Sequence, residues 1–396
     1  MRQNARVGSI ALSTTIALDT RAKNLIAAGR DVVNMSVGEP DFATPMAAQD
    51  AAVATVRSGK VRYTPAEGTN SLRKAIAEHV SATRGVAYTP GEITVCHSAK
   101  HALSGALLAL VEQGDEVLCL LPAWVSYVEI LRYAGAKPVE VASRKDLGPD
   151  QAAIERAITP RTRGILLNSP NNPSGYVMSE AEVRAIAAVA EKHDLWIVTD
   201  EIYRRLVYGG APNFSPASIS PAIRARTVIV DGASKAFAMT GYRIGYIAAP
   251  KEIAAAVGRL HSQLTGCPNA VSQAAFEACL KSEPAEVQRM CDEFQRRRDV
   301  IVSGLRSLGL PCEMPRGAFY AFPDVSAFLD GRGSSAFCEE LLEEVELALV
   351  PGSAFGVDAH VRLSYATSLP IIEVALERLG RFLAKRRPGA AAGSKR

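Results

Sequence analysis

The sequence predicts an α/β fold: a large layered domain on a mostly parallel, seven-stranded sheet flanked by helices, joined to a smaller α+β domain. Three observations carry that prediction. From about residue 90, short β-rich runs alternate with helix-like segments. The runs are apolar on both faces, as strands covered by helices on both sides must be. Beyond about residue 285 the pattern changes, and a long charged helix leads into short strands and further helices.

The seven runs, in order, are EITVC (92–96), EVLCLL (116–121), KPVEV (137–141), GILLN (164–168), LWIVTD (195–200), TVIVDG (227–232) and RIGYIAA (243–249). Helical patterns such as AKHALSGALLALV, WVSYVEILRYAG and EAEVRAIAAVAEKHD lie between several of them. The second domain opens with EVQRMCDEFQRRRDVIVSGLRSL and continues through strands GAFYAFP and HVRLSYA to the helices AFCEELLEEVE and IIEVALERLGRFLAKR. The first 45 residues show little periodicity and carry the turn-rich VGEPDF. The expected division is an N-terminal segment, 1–45, belonging to the small domain; a large domain, 46–290; and a small C-terminal domain, 291–396, ending in a disordered basic tail.

At 396 residues and 48% hydrophobic, the chain can bury a sizeable core. The net charge is +4, but the last twelve residues, KRRPGAAAGSKR, hold five cations and no acid. The rest is close to neutral, which argues against a nucleic-acid surface. Seven cysteines, an odd number with no C-x-x-C pair, argue for a reducing compartment and against disulfides or a metal site. No apolar run follows the first arginines, and none is long enough to span a membrane. A cytoplasmic protein is expected.

Ligands in open α/β sheets bind beyond the carboxyl ends of the strands. After EITVC a helix begins near Ser98, and its free N–H groups suit a phosphate or carboxylate, although Ser98 as an ordinary cap reads equally well. After GILLN the turn SPNNPSG offers two adjacent amides. Asp200 ends an apolar strand, as a capping residue or as a carboxylate in need of a partner. After TVIVDG come Ser234 and Lys235, with Arg243 eight residues on. One cofactor uses such a set. Pyridoxal phosphate needs a lysine, a carboxylate facing its ring nitrogen, and phosphate donors, among which Arg243 would count.

An ordered series of motifs then carries a resemblance: STTIALDTRAKNL, VGEPDF, VRYTPAEG, LPAWVSY, NSPNNPSG, TDEIY, GASKAFAMTGYRIGY, PRGAFY and VRLSYATS. Over nearly its whole length the chain resembles the fold-type I, class I pyridoxal-phosphate aminotransferases, in the aspartate aminotransferase branch. The resemblance implies that Lys235 is the Schiff-base lysine and proton shuttle, that Asp200 pairs with the ring nitrogen, and that Tyr203 and Asn172 bond the phenolic oxygen. It implies that Trp124 stacks on the ring. The turn Ser98, Ala99, Lys100, with Ser234 and Arg243, holds the phosphate, and Tyr63 arrives from a partner subunit. Arg362 clamps the substrate α-carboxylate, with Gly38 and Asn172. Lys100 reads a distal carboxylate, and Ser13 or Thr15 adds hydroxyls as the N-terminal segment closes.

The implied activity is transamination between L-aspartate and 2-oxoglutarate in a homodimer. Aromatic, prephenate or alanine transamination and a carbon–sulfur lyase of the same fold are the alternatives. Members that accept prephenate carry a lysine just before the serine that corresponds to Ser13; this chain has Ala11 and Leu12 there. A transcription regulator with an aminotransferase-like sensor is disfavoured, since the first 45 residues show no helix-turn-helix pattern. No G-x-G-x-x-G follows a strand, which disfavours a nicotinamide enzyme.

Overall fold

The structure, a computed structural model, describes residues 4–8, 10–211 and 213–386. Its strands are β1 (Val33–Asn34), β2 (Ile93–Cys96), β3 (Glu116–Leu120), β4 (Lys137–Val141), β5 (Thr162–Asn168), β6 (Trp196–Asp200), β7 (Thr227–Gly232), β8 (Gly245–Ala248), β9 (Tyr320–Ala321), β10 (Leu347–Ala348), β11 (Val350–Pro351) and β12 (Val361–Ser364). The seven expected runs become β2 to β8 and form one sheet in the order β2-β8-β7-β6-β5-β3-β4. Neighbours are parallel except at β8, which runs antiparallel to both β2 and β7.

Every residue of β2, β7 and β8 is buried, which is why their sequences read as unbroken apolar runs. Each fully buried Val, Leu or Ile contributes about 1.5–3 kcal/mol. The edge strand β4 contains Pro138 and is mostly open, the position where a missing N–H costs no ladder bond. Helices pack over the sheet, among them Ala99–Leu110 and Glu180–Lys192, each begun by a serine whose hydroxyl accepts a backbone N–H (Ser98 and Ser179). The strand order reverses between β3 and β5, and a crevice opens beyond the carboxyl ends there.

The C-terminal region begins with the helix Ala285–Ser307, which crosses the expected boundary at 290 without a break. An antiparallel sheet, β11-β12-β9, and the helices Gly333–Val345 and Leu369–Ala384 follow. β1 pairs in parallel with β10, so the N-terminal segment is built into this region. Phe294, Leu305, Phe319, Leu341 and Phe382 share a core there, and Ile202 and Tyr203, just past β6, belong to the same core. The two regions therefore meet at the end of the large sheet.

A helix, Thr14–Ala27, occupies the N-terminal stretch that showed little periodicity. Ala22 is its one buried residue, so it has no apolar stripe for a sequence reading to find. The basic tail lies, from residue 387 on, outside the described residues.

Under the large sheet sits a buried charge cluster. Arg84 donates to Glu201 (3.0 Å) and Asp231 (2.7 Å), and the Tyr246 hydroxyl donates to Asp231 (3.1 Å). Burial alone would lower the Arg84 pKa. The surrounding Tyr246, Glu201 and Asp231 oxygens more than offset it and hold that pKa above its usual value.

Candidate active site

A cavity of about 330 Å³ lies where the carboxyl ends of the large sheet meet the C-terminal region, within the ordinary range of ligand sites, about 300–1,000 Å³. Thirteen of the residues singled out from sequence line it: Thr15, Gly38, Ser98, Ala99, Lys100, Trp124, Asn172, Asp200, Tyr203, Ser234, Lys235, Arg243 and Arg362. Two do not. Ser13 borders an adjoining cavity, its hydroxyl bonded to that of Thr15 (2.8 Å). Tyr63 is 99% exposed and away from the cavity of its own chain.

Lys235 stands on the short helix Ala233–Ala236, directly after β7, and its ammonium donates to the Gly38 carbonyl. Burial is the chief cause of its lowered pKa, about 8; Arg243 and Arg362 add to the fall, while Glu39 and Asp200 oppose it. A lysine so placed holds a usable fraction of neutral amine near neutral pH.

Asp200 closes β6, fully buried. It accepts from the Tyr127 hydroxyl (2.7 Å) and the Ile202 N–H (3.2 Å), both neutral donors. Burial pushes its pKa up to about 6. A carboxylate held this way suits a cationic partner delivered by a ligand. Its carbonyl accepts from Asn168 Nδ2 (3.0 Å), and Asn168 Oδ1 accepts from the Asn172 N–H (2.9 Å), so β5 and the following turn are locked to β6.

Arg362 is the clearest departure from an ordinary strand arginine. It is 2% exposed, so it does not face solvent. Nη1 donates to Asn172 Oδ1 (2.9 Å) and Nη2 to the Ser36 carbonyl (2.7 Å), while Nε has no partner. Its guanidinium lies 4.5 Å from the Tyr320 ring centre and 5.1 Å from that of Phe355. No acidic side chain pairs with it among the described residues. Burial accordingly lowers its pKa. A buried guanidinium without an acidic partner among the described residues suits an anionic ligand such as a carboxylate.

Ser98, at φ 130°, turns the chain from β2 into the helix Ala99–Leu110. A Cβ on Gly245 would fall 2.4 Å from the Ala99 nitrogen, so only glycine lets β8 pass this turn. Arg243 has left-handed backbone (φ 51°) and donates to the Thr240 carbonyl (2.9 Å). The Lys100 ammonium lies 4.9 Å from the Trp124 ring centre. Lys100 is exposed at its surface, yet the atoms packed around its ammonium, and then the Arg243 cation, lower its pKa. The cavity is thus lined by anion donors, a buried acid, an amine and a buried guanidinium.

Sequence reading assigned no role to Tyr127, Tyr320, Asn168 or Ser36. Tyr127 follows Trp124 by three residues on one helix face, a spacing that could have found it. Tyr320 shares a hydrogen bond with Tyr203 (2.8 Å) and crowds Gly38, where a Cβ would lie 2.8 Å from its hydroxyl. Ser36 acts through its carbonyl, which no side-chain pattern reports.

The model of the family described as aminotransferase class I and II matches residues 30–379. The aspartate aminotransferase of Geobacillus stearothermophilus is 42% identical over 394 residues, covering 98% of this chain and all of that one. The aspartate/prephenate aminotransferase of Thermus thermophilus is 41% identical over 385 residues, 96% of this chain and 98% of that one. Among solved structures, the aspartate aminotransferase from Thermus thermophilus with maleate superposes at TM-score 0.92, with 41% identity, 96% of this chain and 100% of that chain covered.

Proposed function

This chain belongs to the class I and II aminotransferases, and on that basis we propose that it transfers the amino group of L-aspartate to 2-oxoglutarate, giving oxaloacetate and L-glutamate, with pyridoxal 5′-phosphate as its cofactor. The observation that carries the reading is the cavity itself. Lys235 with a lowered pKa, and a buried Asp200 and a buried Arg362 that have no oppositely charged partner among the described residues, line one space.

The residues fit the cofactor. The turn Ser98–Lys100, Ser234 and Arg243 would hold its phosphate, and the close approach of Gly245 keeps that turn's N–H groups open. Asp200 would face its ring nitrogen, Tyr203 and Asn172 its phenolic oxygen, and Trp124 its ring face. The cofactor, when bound, supplies an electron sink for the carbanion left at the amino-acid Cα. Lys235 would hold the cofactor and would move the proton at the substrate Cα, work for which a pKa of about 8 is well matched. Tyr127 holds Asp200 in place by its 2.7 Å hydrogen bond. Arg362, steadied by Asn172 and Ser36, receives the substrate α-carboxylate next to Gly38. Lys100 receives the distal carboxylate, with the Ser13 and Thr15 hydroxyls close behind.

The enzyme is proposed to be a cytoplasmic homodimer. Tyr63, 99% exposed beside the half-exposed Val61, is free to complete the partner's phosphate site. Among the described residues no helix is long and apolar enough to cross a membrane.

A screen of amino donors and oxo-acid acceptors, read by the cofactor's absorbance in half-reactions, tests the proposal. Aspartate and glutamate are expected to convert the cofactor fastest. Faster conversion by alanine, phenylalanine or prephenate's amino partner would replace the substrate assignment, and release of a thiol with ammonia and an oxo acid from a sulfur amino acid, the cofactor's absorbance returning unchanged, would replace the reaction.

A further inference from the structure

Cys96, His101 and His261 form no metal-binding spacing in the sequence, because His261 lies far from the other two in the chain. Cys96 ends β2, His101 lies in the first turn of the helix Ala99–Leu110, and His261 comes from the helix Lys251–Leu264. One ligand atom from each lies within 4.8 Å of the other two. The His101 and His261 rings stack, with centres 4.3 Å apart and an 18° interplanar angle. His261 is 1% exposed, yet neither ring nitrogen has a hydrogen-bond partner. The Val95 and Ala66 carbonyls lie near its ring and neither completes a bond. A buried imidazole with both nitrogens orphaned is costly unless something else takes a lone pair. The competing contacts are long: 3.3 Å from the His97 N–H to His101 Nδ1, and 3.4 Å from Cys96 Sγ to the Thr94 carbonyl.

We propose that Cys96, His101 and His261 bind one borderline-soft divalent ion of the zinc class per chain. One thiolate and two neutral imidazoles form a donor set for such an ion, with water in the fourth position. The thiol gives up its proton on binding. Metal–sulfur and metal–nitrogen bonds of about 2.3 and 2.0–2.1 Å require the three donors to close by roughly 1 Å onto the ion, and the stacked rings must turn out of parallel so that their in-plane lone pairs converge on it. His101 is half-buried and gives an entry path. Cys96 and His101 bracket Ser98–Lys100, so the ion would brace from behind the turn that presents its N–H groups to the cavity.

The full-length enzyme, freed of metal with a chelator, is titrated with Co²⁺ and then with Zn²⁺. One equivalent of Co²⁺ is expected to give intense tetrahedral ligand-field bands in the visible, displaced by Zn²⁺, and Zn²⁺ is expected to raise the melting temperature. Cys96→Ser, His101→Ala and His261→Gln are each expected to weaken binding by about tenfold or more, the loss seen even for groups that merely orient a ligand. Circular dichroism and melting in chelator verify that each variant folds; if Cys96→Ser does not, His101→Ala on the more open helix face gives the answer. Absent bands, or bands that survive all three substitutions, would overturn the site and leave these histidines as neutral core packing.

Discussion

Asp200 and Glu201 are neighbours at the end of one strand, both buried, and they live in opposite electrostatic worlds. Glu201 meets Arg84 at 3.0 Å, in a cluster where the guanidinium also serves Asp231 and almost no charged surface is open to water. Among the described residues, the Asp200 carboxylate meets only a phenol and a backbone N–H, and burial lifts its pKa to about 6. The cations of the cavity are kept apart from it: Lys235 bonds a carbonyl, and Arg362 an amide and a carbonyl. In the Arg84 cluster the chain's own charges satisfy one another. In the cavity they are left for a ligand to satisfy.

The sharpest way to break this contrast is Arg84→Met. Two carboxylates would lose their buried cation, and a loss of about 3–5 kcal/mol in unfolding free energy is expected, read by denaturant melts. A change under 1 kcal/mol would mean the cluster is not held by its charges. Asp200→Ala should leave stability nearly intact and instead lower kcat about a thousandfold, equivalent to about 4 kcal/mol of transition-state stabilisation. Turnover close to that of the parent enzyme would return Asp200 to a capping role.

Lys100→Ala is expected to cut kcat/KM for aspartate and glutamate by about 1.5–3 kcal/mol, the worth of a charge-assisted hydrogen bond, and to spare alanine and phenylalanine. An equal fall for all four substrates would make Lys100 a phosphate residue alone. The smallest expected effect is a gain. A carboxyl whose pKa is raised on folding contributes stability below its unfolded value, near 3.8, and that contribution is lost as pH rises through about 6. Asp200→Asn should therefore stabilise the cofactor-free protein at pH 7.5 by an amount on the order of 2 kcal/mol, with the advantage vanishing below pH 4. A variant equally stable, or less so, across that range would show that the buried carboxylate carries no strain.

The same contrast explains what could be read from sequence. Strands buried on both faces announce themselves as apolar runs, so β2 to β8 and the large sheet were legible. That Lys235 and Asp200 stand at one rim was legible because polar residues at the ends of such strands are conspicuous, whereas Arg362 was singled out by the resemblance alone. The helix Thr14–Ala27, with one buried residue, left no periodic trace. The Arg84 cluster joins residues 117 and 147 positions apart, and its pairing exists only in three dimensions. The Cys96, His101 and His261 cluster escaped notice for the same reason. Tyr127 stands within the LPAWVSY motif, but its contact with Asp200 bridges 73 residues.

The hydrogen bond from Arg362 to Ser36 has a consequence in time. Its two ends lie 326 residues apart in the chain, and β1 likewise must await β10 for its pairing. During synthesis at about 5–20 residues per second, Ser36 would emerge roughly 15–65 s before Arg362 exists. The large sheet, complete once β8 is made, has a long head start. The bond between Ser36 and Arg362 is therefore among the last contacts a newborn chain can form, and a protein halted before β12 would own the strands of the large sheet without the buried guanidinium of the cavity.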